Sequence, residues 1–340
     1  MDNGYEDDAI ELGTEGRVSV KKMNKDILKA AITLTADEAR FLVAAYYMQQ
    51  ESRKRARNQE RALLQQNKPN AILTWLSVQS ETLEKQIKKT LDLYTSNHVM
   101  GSWMRDIYGI GPVLSAGILA HIDIDQCPTA GHIWSYAGYN PGQIWEAKDD
   151  VKKWLMKEKI MLNDSDIAYG LAAAHYMRKI ETLRKFAEND KDGQPQKLTL
   201  ESLAKALARR PYNADFKTLC WKIGQSFMKF SNVKACYYGS IYRERKAQEV
   251  MRNEQGLFKH IADKKVVEDK YGKTTDAYAA YIKGKLPPAE LDGRARRYAV
   301  KLFLAHLHEV WYEKHFGKPA PLPYPIAFLG HAHKIDPPGK

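Results

Sequence analysis

The stretch from Thr35 to Gln66 constrains the fold more than any other part of the chain, because it runs for about thirty residues without a glycine or proline. Thr35 and Glu38 open it with the spacing of a helix capping box. The break "KPN" follows at 68–70, and from Asn70 to Tyr94 apolar residues return at spacings of three, four and seven. Two long helices joined by a short turn predict an antiparallel hairpin, a helical arm over residues 35–96.

Similar helical patterns continue to Phe316, and strand patterns are almost absent. We therefore predict an all-α fold without a Rossmann-like or ribonuclease-H-like sheet, in which the arm resembles a coiled coil. The predicted units are an acidic, partly disordered tail over 1–34, the arm over 35–96, a helical domain over 97–318 and a Pro-rich, extended tail over 319–340.

The charge balance points to a polyanionic partner. The chain has 53 Lys+Arg against 41 Asp+Glu, a formal net charge of +12, so nucleic acid is the leading partner class. Its three cysteines lie far apart in the sequence and form no C-x-x-C pair, so neither a disulfide framework nor a zinc knuckle is expected. No signal peptide and no apolar run of about 20 residues is present. We expect a soluble cytoplasmic protein with no membrane partner and no cofactor.

The segment "YGIGP" separates two short helical patterns over 102–121 and has the form of a helix-hairpin-helix turn. Gly109 and Gly111 permit positive φ and close approach, Ile110 anchors the turn in the core, and Pro112 suits the first turn of a helix. Backbone N–H groups at such a helix start suit a phosphate oxygen. We predict that Tyr108, Gly109, Ile110 and Gly111 bind phosphate of RNA or DNA; the alternative is a tight turn with no ligand.

Most of the excess positive charge lies between 205 and 252, where eleven Lys+Arg accompany three acids. Aromatic residues interleave with the bases, as in surfaces that bind single-stranded nucleic acid. Lys222, Lys229 and Arg243 are separated by multiples of seven, so they are candidates for one helix face. The alternative is a basic outer face over an aromatic core stripe, and most of the rings are expected in the core either way. The arm's "RKRAR" run at 53–57 more often forms a solvated face than a nucleic-acid contact.

Catalytic residue types form no convincing pattern. His331 and His333 have the spacing of metal ligands on a loop, but two further ligands are missing. His306 and His308 point to different faces of a helix, which argues against a joint site. The acidic start, with Glu6, Asp7 and Asp8, lacks the strand pattern of a nuclease carboxylate site and is expected to be a solvated tail. We predict no catalytic residue and no metal site.

Two motifs carry a family resemblance. "YGIGPVLSAGILAHID", followed about ten residues later by "IWSYAGYNPG", resembles the C-terminal domain of RNA-bridged insertion-sequence transposases. In that family the second loop leads to a catalytic serine, and an N-terminal ribonuclease-H-like domain supplies acidic ligands. This chain has "GQIWEAKDD" after Pro141, without a serine, and no acidic strand-borne domain before the arm.

The arm, the turn motif, "RRPYNADFKTLCWKIGQSF" and "YYGSIYRERK" together look more like Nop-domain proteins of box C/D ribonucleoproteins. They resemble most the related nuclease-less Tas proteins of TIGR (tandem interspaced guide RNA) systems of prokaryotes and phages. The likeness covers roughly 35–335. It implies a homodimer, joined through the arm, that binds a guide RNA, recognises target DNA through that RNA and has no nuclease of its own.

On this resemblance the residues expected to bind RNA are Arg209, Arg210, Tyr212, Asn213, Lys217, Lys222, Lys229, Arg243, Arg245 and Lys246. Two alternatives stay open. One is a divergent transposase or nuclease that takes metal ligands from elsewhere, for instance Glu6, Asp7 and Asp8. The other is a helix-hairpin-helix protein that binds duplex DNA without RNA.

Overall fold

The computed structural model describes residues 23–140, 148–157, 201, 204, 208, 211–268, 271–330 and 334–339, and these ranges contain helices and no strand. The all-α prediction is confirmed. None of the helices within these ranges combines the length and apolar character required to cross a bilayer.

The arm is an antiparallel pair of helices of 30 and 26 residues. The first helix has the predicted capping box, and the structure also shows a side-chain cap at the start of the second. The Thr35 hydroxyl accepts from the Glu38 N–H at 3.3 Å while the Glu38 carboxylate accepts from the Thr35 N–H at 2.8 Å, and the Asn70 side chain accepts from the Leu73 N–H at 3.1 Å. A short helix and the 3-10 turn Ala30–Thr33 precede the arm, and the turn packs against it and buries Ala31, so part of the predicted N-terminal tail is folded. The helices are α1 (Lys25–Lys29), α2 (Ala36–Gln65) and α3 (Ala71–Ser96).

The "YGIGP" turn lies between two short helices, and this pair joins the arm to the rest of the protein. Its second helix is apolar on nearly all sides, because one side meets the arm and the other meets the main core. Val113 and Ala116 pack with Val43 and Leu91 of the arm, whereas Ile118 and Leu119 belong to the main core. The helices of this region are α4 (Gly101–Asp106), α5 (Pro112–His121) and α6 (Ala130–Tyr136), with a 3-10 turn over Ile124–Gln126.

The main core is built around the long helix that ends at Phe316, where Gly317 terminates it in the left-handed conformation (φ +65°). Its buried face carries Phe303, Leu304 and Leu307, and Phe227 and Tyr238 pack against it. A smaller cluster around Phe258 and Tyr281 lies at its beginning. The remaining helices are α7 (Lys148–Lys157), α8 (Ala214–Lys229), α9 (Tyr237–Glu254), α10 (Lys259–Val267), α11 (Asp276–Tyr281), α12 (Pro288–Phe316) and α13 (Tyr324–Phe328).

The Pro-rich C-terminal segment returns to the body instead of continuing away from it. The Trp103 indole N–H donates to the Pro338 carbonyl at 3.0 Å, and the Tyr237 hydroxyl donates to the Asp336 carbonyl at 3.3 Å. The ring of His306 bonds the Ile335 carbonyl at 2.8 Å on one side and the Tyr238 hydroxyl at 2.9 Å on the other. Residues 334–339 are therefore tied to α4, α9 and α12.

Candidate nucleic-acid interface

Two of the segments that carry the resemblance, "IWSYAGYNPG" and "RRPYNADFKTLCWKIGQSF", meet at the N-terminal end of α8. Gly138, in the "YAGY" loop, has φ +69°, and a Cβ there would lie 2.9 Å from the Tyr212 ring. The Lys217 ammonium lies over that ring, 3.9 Å from its centroid. The Asn213 N–H donates to the Tyr136 carbonyl at 3.0 Å, and the Asn213 side chain caps α8. This set of residues, 136–139 with 212, 213 and 217, is called the loop cluster below.

Asn213 has a structural part in this cluster because its side-chain oxygen already accepts the Phe216 N–H at 2.8 Å. Its capping bond is worth about 1 kcal/mol to α8. Lys217, by contrast, forms no ion pair within the part of the chain that the structure describes. Of the loop cluster, Lys217 is thus the charge available to a phosphate.

The turn cluster, defined as residues 108–111 with Lys229, Phe230 and Arg243, forms at the other end of α8. The Tyr108 ring packs edge-on against Phe230 at 5.3 Å between centroids. Lys229 is exposed and lies 5.5 Å from the Phe230 ring, and Arg243 donates to the Ser231 carbonyl at 3.2 Å. Lys217 and Lys229 are twelve residues apart, about 18 Å along a helix. The single patch expected from the sequence is therefore two clusters.

The turn itself has one packed side and one open side. Gly109 has φ +96° and its carbonyl accepts from the Ser226 hydroxyl at 2.6 Å, while the Tyr108 carbonyl accepts from the Cys236 thiol at 3.5 Å. Ile110 is buried, as expected. Gly111 has φ −89°, not the positive value that its type permits, and a Cβ there would have no neighbour within 4 Å. No side chain caps α5, so the exposed side at Gly111 is where a phosphate could approach.

Lys222 does not share the surface of the other predicted cations. Its ammonium lies over the Tyr47 ring of the arm, 3.1 Å from the centroid. Burial, with a smaller contribution from the nearby Lys54 charge, lowers the Lys222 pKa. Arg243 is on α9, after a break at residues 230–236, so the spacing in sevens does not place Lys222, Lys229 and Arg243 on one helix. Lys222 instead fixes the arm against α8.

Arg245 and Lys246 both form ion pairs, Arg245 with a carboxylate of its own helix α9 and Lys246 with a carboxylate of α12. Arg245 lies 2.6 Å from the fully buried Glu249 carboxylate, which Arg294 also contacts at 2.6 Å. Lys246 lies 3.0 Å from Asp292. Burial alone would raise the pKa of the Glu249 carboxyl, but the bond from Arg294 and the Arg245 charge outweigh it and hold that pKa below its ordinary value. These two cations are already partly neutralised.

The basic run of the arm also joins helices. Arg53 lies 2.6 Å from Glu84, and Arg57 lies 2.5 Å from Glu81, so both residues tie α2 to α3. Burial would raise the Glu84 pKa, but hydrogen bonds from Arg53, Gln50 and Tyr46 hold it below the ordinary value. The run is therefore a structural face of the arm.

Several predicted positions lie outside the described residues: Arg209, Arg210, His331, His333, Glu6, Asp7 and Asp8. Among the residues that are described, no group of three or more His, Cys, Asp or Glu side chains is arranged to hold a metal ion. His306 and His308 do contact different groups, since His308 bonds the Cys127 carbonyl at 2.8 Å. Burial lowers the pKa of both imidazoles, which favours their neutral forms.

The aromatic residues of the basic segment are mostly in the core, as expected. Phe227, Tyr238 and Tyr242 are buried, whereas Trp221 is 58% exposed on α8. Arg297 is not among the nucleic-acid-binding residues predicted from the sequence. It is exposed on α12 beside Lys217 and Trp221. Its signal in the sequence is the basic run "RARR" at 294–297.

Comparison of the chain with protein-family models, with curated proteins and with solved structures finds no match. The function of this chain is therefore inferred from its residues and their geometry.

Proposed function

We propose that this chain is a guide-RNA-binding protein that forms a ribonucleoprotein for RNA-guided recognition of DNA and has no nuclease of its own. In this proposal the protein binds RNA backbone and unpaired bases, while base pairing between guide and target reads the DNA sequence. It acts in the cytoplasm as a homodimer and takes no cofactor.

The loop cluster is the observation that carries the proposal. Two segments more than seventy residues apart in the sequence, each quoted for its likeness to RNA-guided systems, pack against each other through Gly138 and Tyr212. That contact holds Lys217 at the surface, over an aromatic ring that is half-buried. A positioned cation beside a ring is suited to the phosphate and base of a single strand.

The separation of the two clusters supports a strand as the ligand. The interval of about 18 Å between the ends of α8 corresponds to about five stacked nucleotides at 3.4 Å each. One strand that follows α8 would meet Lys217 first and Lys229 with the open side of Gly111 last. The ion-paired Arg245 and Lys246 lie off this path and contribute a general positive field.

The arm supports the homodimer. Apolar side chains are exposed along it, including Met48 (63%) on α2 and Ile72 (73%) and Trp75 (51%) on α3. A groove of about 700 Å³ runs between the two helices, and Met48, Leu73 and Leu76 line it. A contiguous exposed apolar patch can mark a protein interface, and these arm residues are the candidates for one.

The direct test is to purify the full chain from its native cells and sequence the nucleic acid bound to it. We expect enriched small RNA of repeated sequence. The Lys217→Gln and Lys229→Gln variants should each weaken binding of that RNA, and each should reduce the slope of log K against log salt by about 0.7, the value for one phosphate contact on a single strand. Lys264→Gln, an exposed charge on α10, is the matched control and should change neither quantity.

Two results would contradict the proposal. Bound duplex DNA without small RNA would leave a helix-hairpin-helix DNA-binding protein. Cleavage or joining of matched DNA strands by the RNA-loaded protein in Mg²⁺, lost when Glu6, Asp7 and Asp8 are changed to Asn or Gln, would identify a recombinase or nuclease.

A further inference from the structure

A cleft of about 330 Å³ opens where α8 lies against α12. Residues four apart on α8 form one wall, and a face of the first half of α12 forms the other. The "YAGY" loop closes one end. The residues that line the cleft include Tyr139, Lys217, Trp221, Gly293, Arg296 and Arg297.

The charged residues that line the cleft, among those that the structure describes, are all cations: Lys217, Arg296 and Arg297. Arg296 is paired with Asp292 at 2.8 Å. Lys217 and Arg297 form no ion pair within the described residues, so two charges are available to an anion. Such a cleft favours a phosphate, which accepts hydrogen bonds from both side chains.

Aromatic groups accompany these charges. Trp221 lies one helical turn after Lys217 on α8, and its indole is 58% exposed, which is unusual for so large an apolar group. A base or other flat ring can stack on the exposed indole. Burial raises the pKa of the Tyr139 phenol, which is therefore neutral and able to donate a hydrogen bond.

Glycines set the shape of the cleft. A Cβ on Gly224 would lie 3.3 Å from the Val300 side chain, so this glycine allows α8 and α12 to approach closely. A Cβ on Gly293 would lie 3.3 Å from a terminal nitrogen of Arg297, so the absence of a side chain at Gly293 leaves room for the Arg297 guanidinium in the cleft. The volume is at the small end of the range for ligand sites, about 300–1,000 Å³, and admits one nucleotide rather than a duplex.

We infer that this cleft binds a single nucleotide, with the base against Trp221 and the phosphate between Lys217 and Arg297. The nucleotide is either an unstacked residue of a bound RNA strand or a free mononucleotide. The first source rests on the proposed function, because it requires RNA binding; the second does not.

The test uses the full chain and two probes, adenosine monophosphate and a short labelled single-stranded RNA. Binding of the first is measured by calorimetry and of the second by fluorescence anisotropy. The variants are Trp221→Ala and Arg297→Gln, both at exposed side chains, and circular dichroism verifies their folding. Lys314→Gln is the matched control, since Lys314 is an exposed cation on α12 about 25 Å from Arg297 along the helix.

We expect Trp221→Ala to weaken RNA binding by about five-fold or more, as for loss of one stacked base, and Arg297→Gln to weaken it and reduce its salt dependence. The control should bind as the unmodified protein does. RNA binding unchanged in both variants, with no binding of adenosine monophosphate, would overturn the inference and leave the proposed function intact. Adenosine monophosphate bound through these residues by a protein that does not bind RNA would support the inference and overturn the proposed function.

Discussion

Gly138 is the residue on which the loop cluster depends. Its φ of +69° favours glycine, and a Cβ would contact the Tyr212 ring at 2.9 Å, at ring atoms that cannot move without moving the whole side chain. Any larger residue therefore has both a backbone cost and a steric cost. Because Lys217 lies over the same ring, displacement of Tyr212 also displaces the charge that is available to RNA.

We predict that Gly138→Ala lowers the free energy of unfolding by about 2–3 kcal/mol and weakens RNA binding. Gly256→Ala separates the two costs, since Gly256 has φ +75° but no neighbour within 4 Å. That control should lose only the left-handed backbone cost, about 1–2 kcal/mol, and retain RNA affinity. Urea denaturation and anisotropy with labelled RNA measure the two quantities. Equal losses of stability in the two variants would show that Tyr212 does not restrict position 138.

Individual residues also show where inference from sequence ends. The capping box of Thr35 depends on a neighbour three residues away, so local pattern predicts it correctly. The partners of Lys222 and Lys246 come from other helices, and no local spacing encodes them. A basic run therefore indicates charge, but only the tertiary structure shows which charges are already neutralised.

At the scale of elements, α9 and α12 are joined by buried ion pairs. The Glu249 and Asp292 carboxyls both have pKa values below the ordinary ones, because bonds and charges from Arg294, Arg245, Tyr242 and Lys246 outweigh burial. A carboxyl whose pKa is lower in the folded than in the unfolded protein stabilises the folded state, and this contribution is complete at pH values above the ordinary pKa. That contribution declines as the pH falls below the ordinary value and through the lower pKa of the folded state.

We predict that Glu249→Gln lowers the free energy of unfolding by about 3 kcal/mol at neutral pH, because it leaves arginines without a carboxylate at a buried position. The variant should also lose less stability than the unmodified protein between neutral pH and the acid range. Asp263→Asn is the control, since Asp263 forms an exposed pair with Lys259 and should cost little. Denaturation curves over a pH series provide the measurement. Parallel acid profiles for Glu249→Gln and the unmodified protein would show that this carboxyl does not control acid stability.

The same elements explain the accuracy of the fold prediction. Helical periodicity, together with capping and breaking residues, predicts α2, α3, α4 and α5 within a few residues of their observed ends. It does not predict that the candidate nucleic-acid-binding residues fall into two clusters at the two ends of α8. The break at 230–236 contains neither glycine nor proline, so the sequence does not mark where α8 ends. The return of residues 334–339 to the body also depends on distant donors such as Trp103.

At the scale of the whole molecule, the arm carries apolar groups that stay exposed within the described part of the chain. Ile72 and Leu76 lie one turn apart on α3, next to Trp75. A second copy of the arm, related by a two-fold axis, would cover the same groups on both chains. Two bodies linked in this way hold two RNA surfaces at a fixed separation, which raises the affinity for an RNA that reaches both.

We predict that the double substitution Ile72→Glu and Leu76→Glu converts a dimer to a monomer in sedimentation equilibrium, because it places four charges in the interface of two apolar arms. Helicity should be retained, since Ile72 is 73% and Leu76 39% exposed and Glu is a good helix former. Met251→Glu, at a 54% exposed position on α9, is the control and should remain dimeric. A monomeric unmodified chain, or a dimer that survives the double substitution, would refute dimerisation through this face of the arm. RNA affinity that falls in the double variant but not in the control would show that the RNA engages both bodies at once.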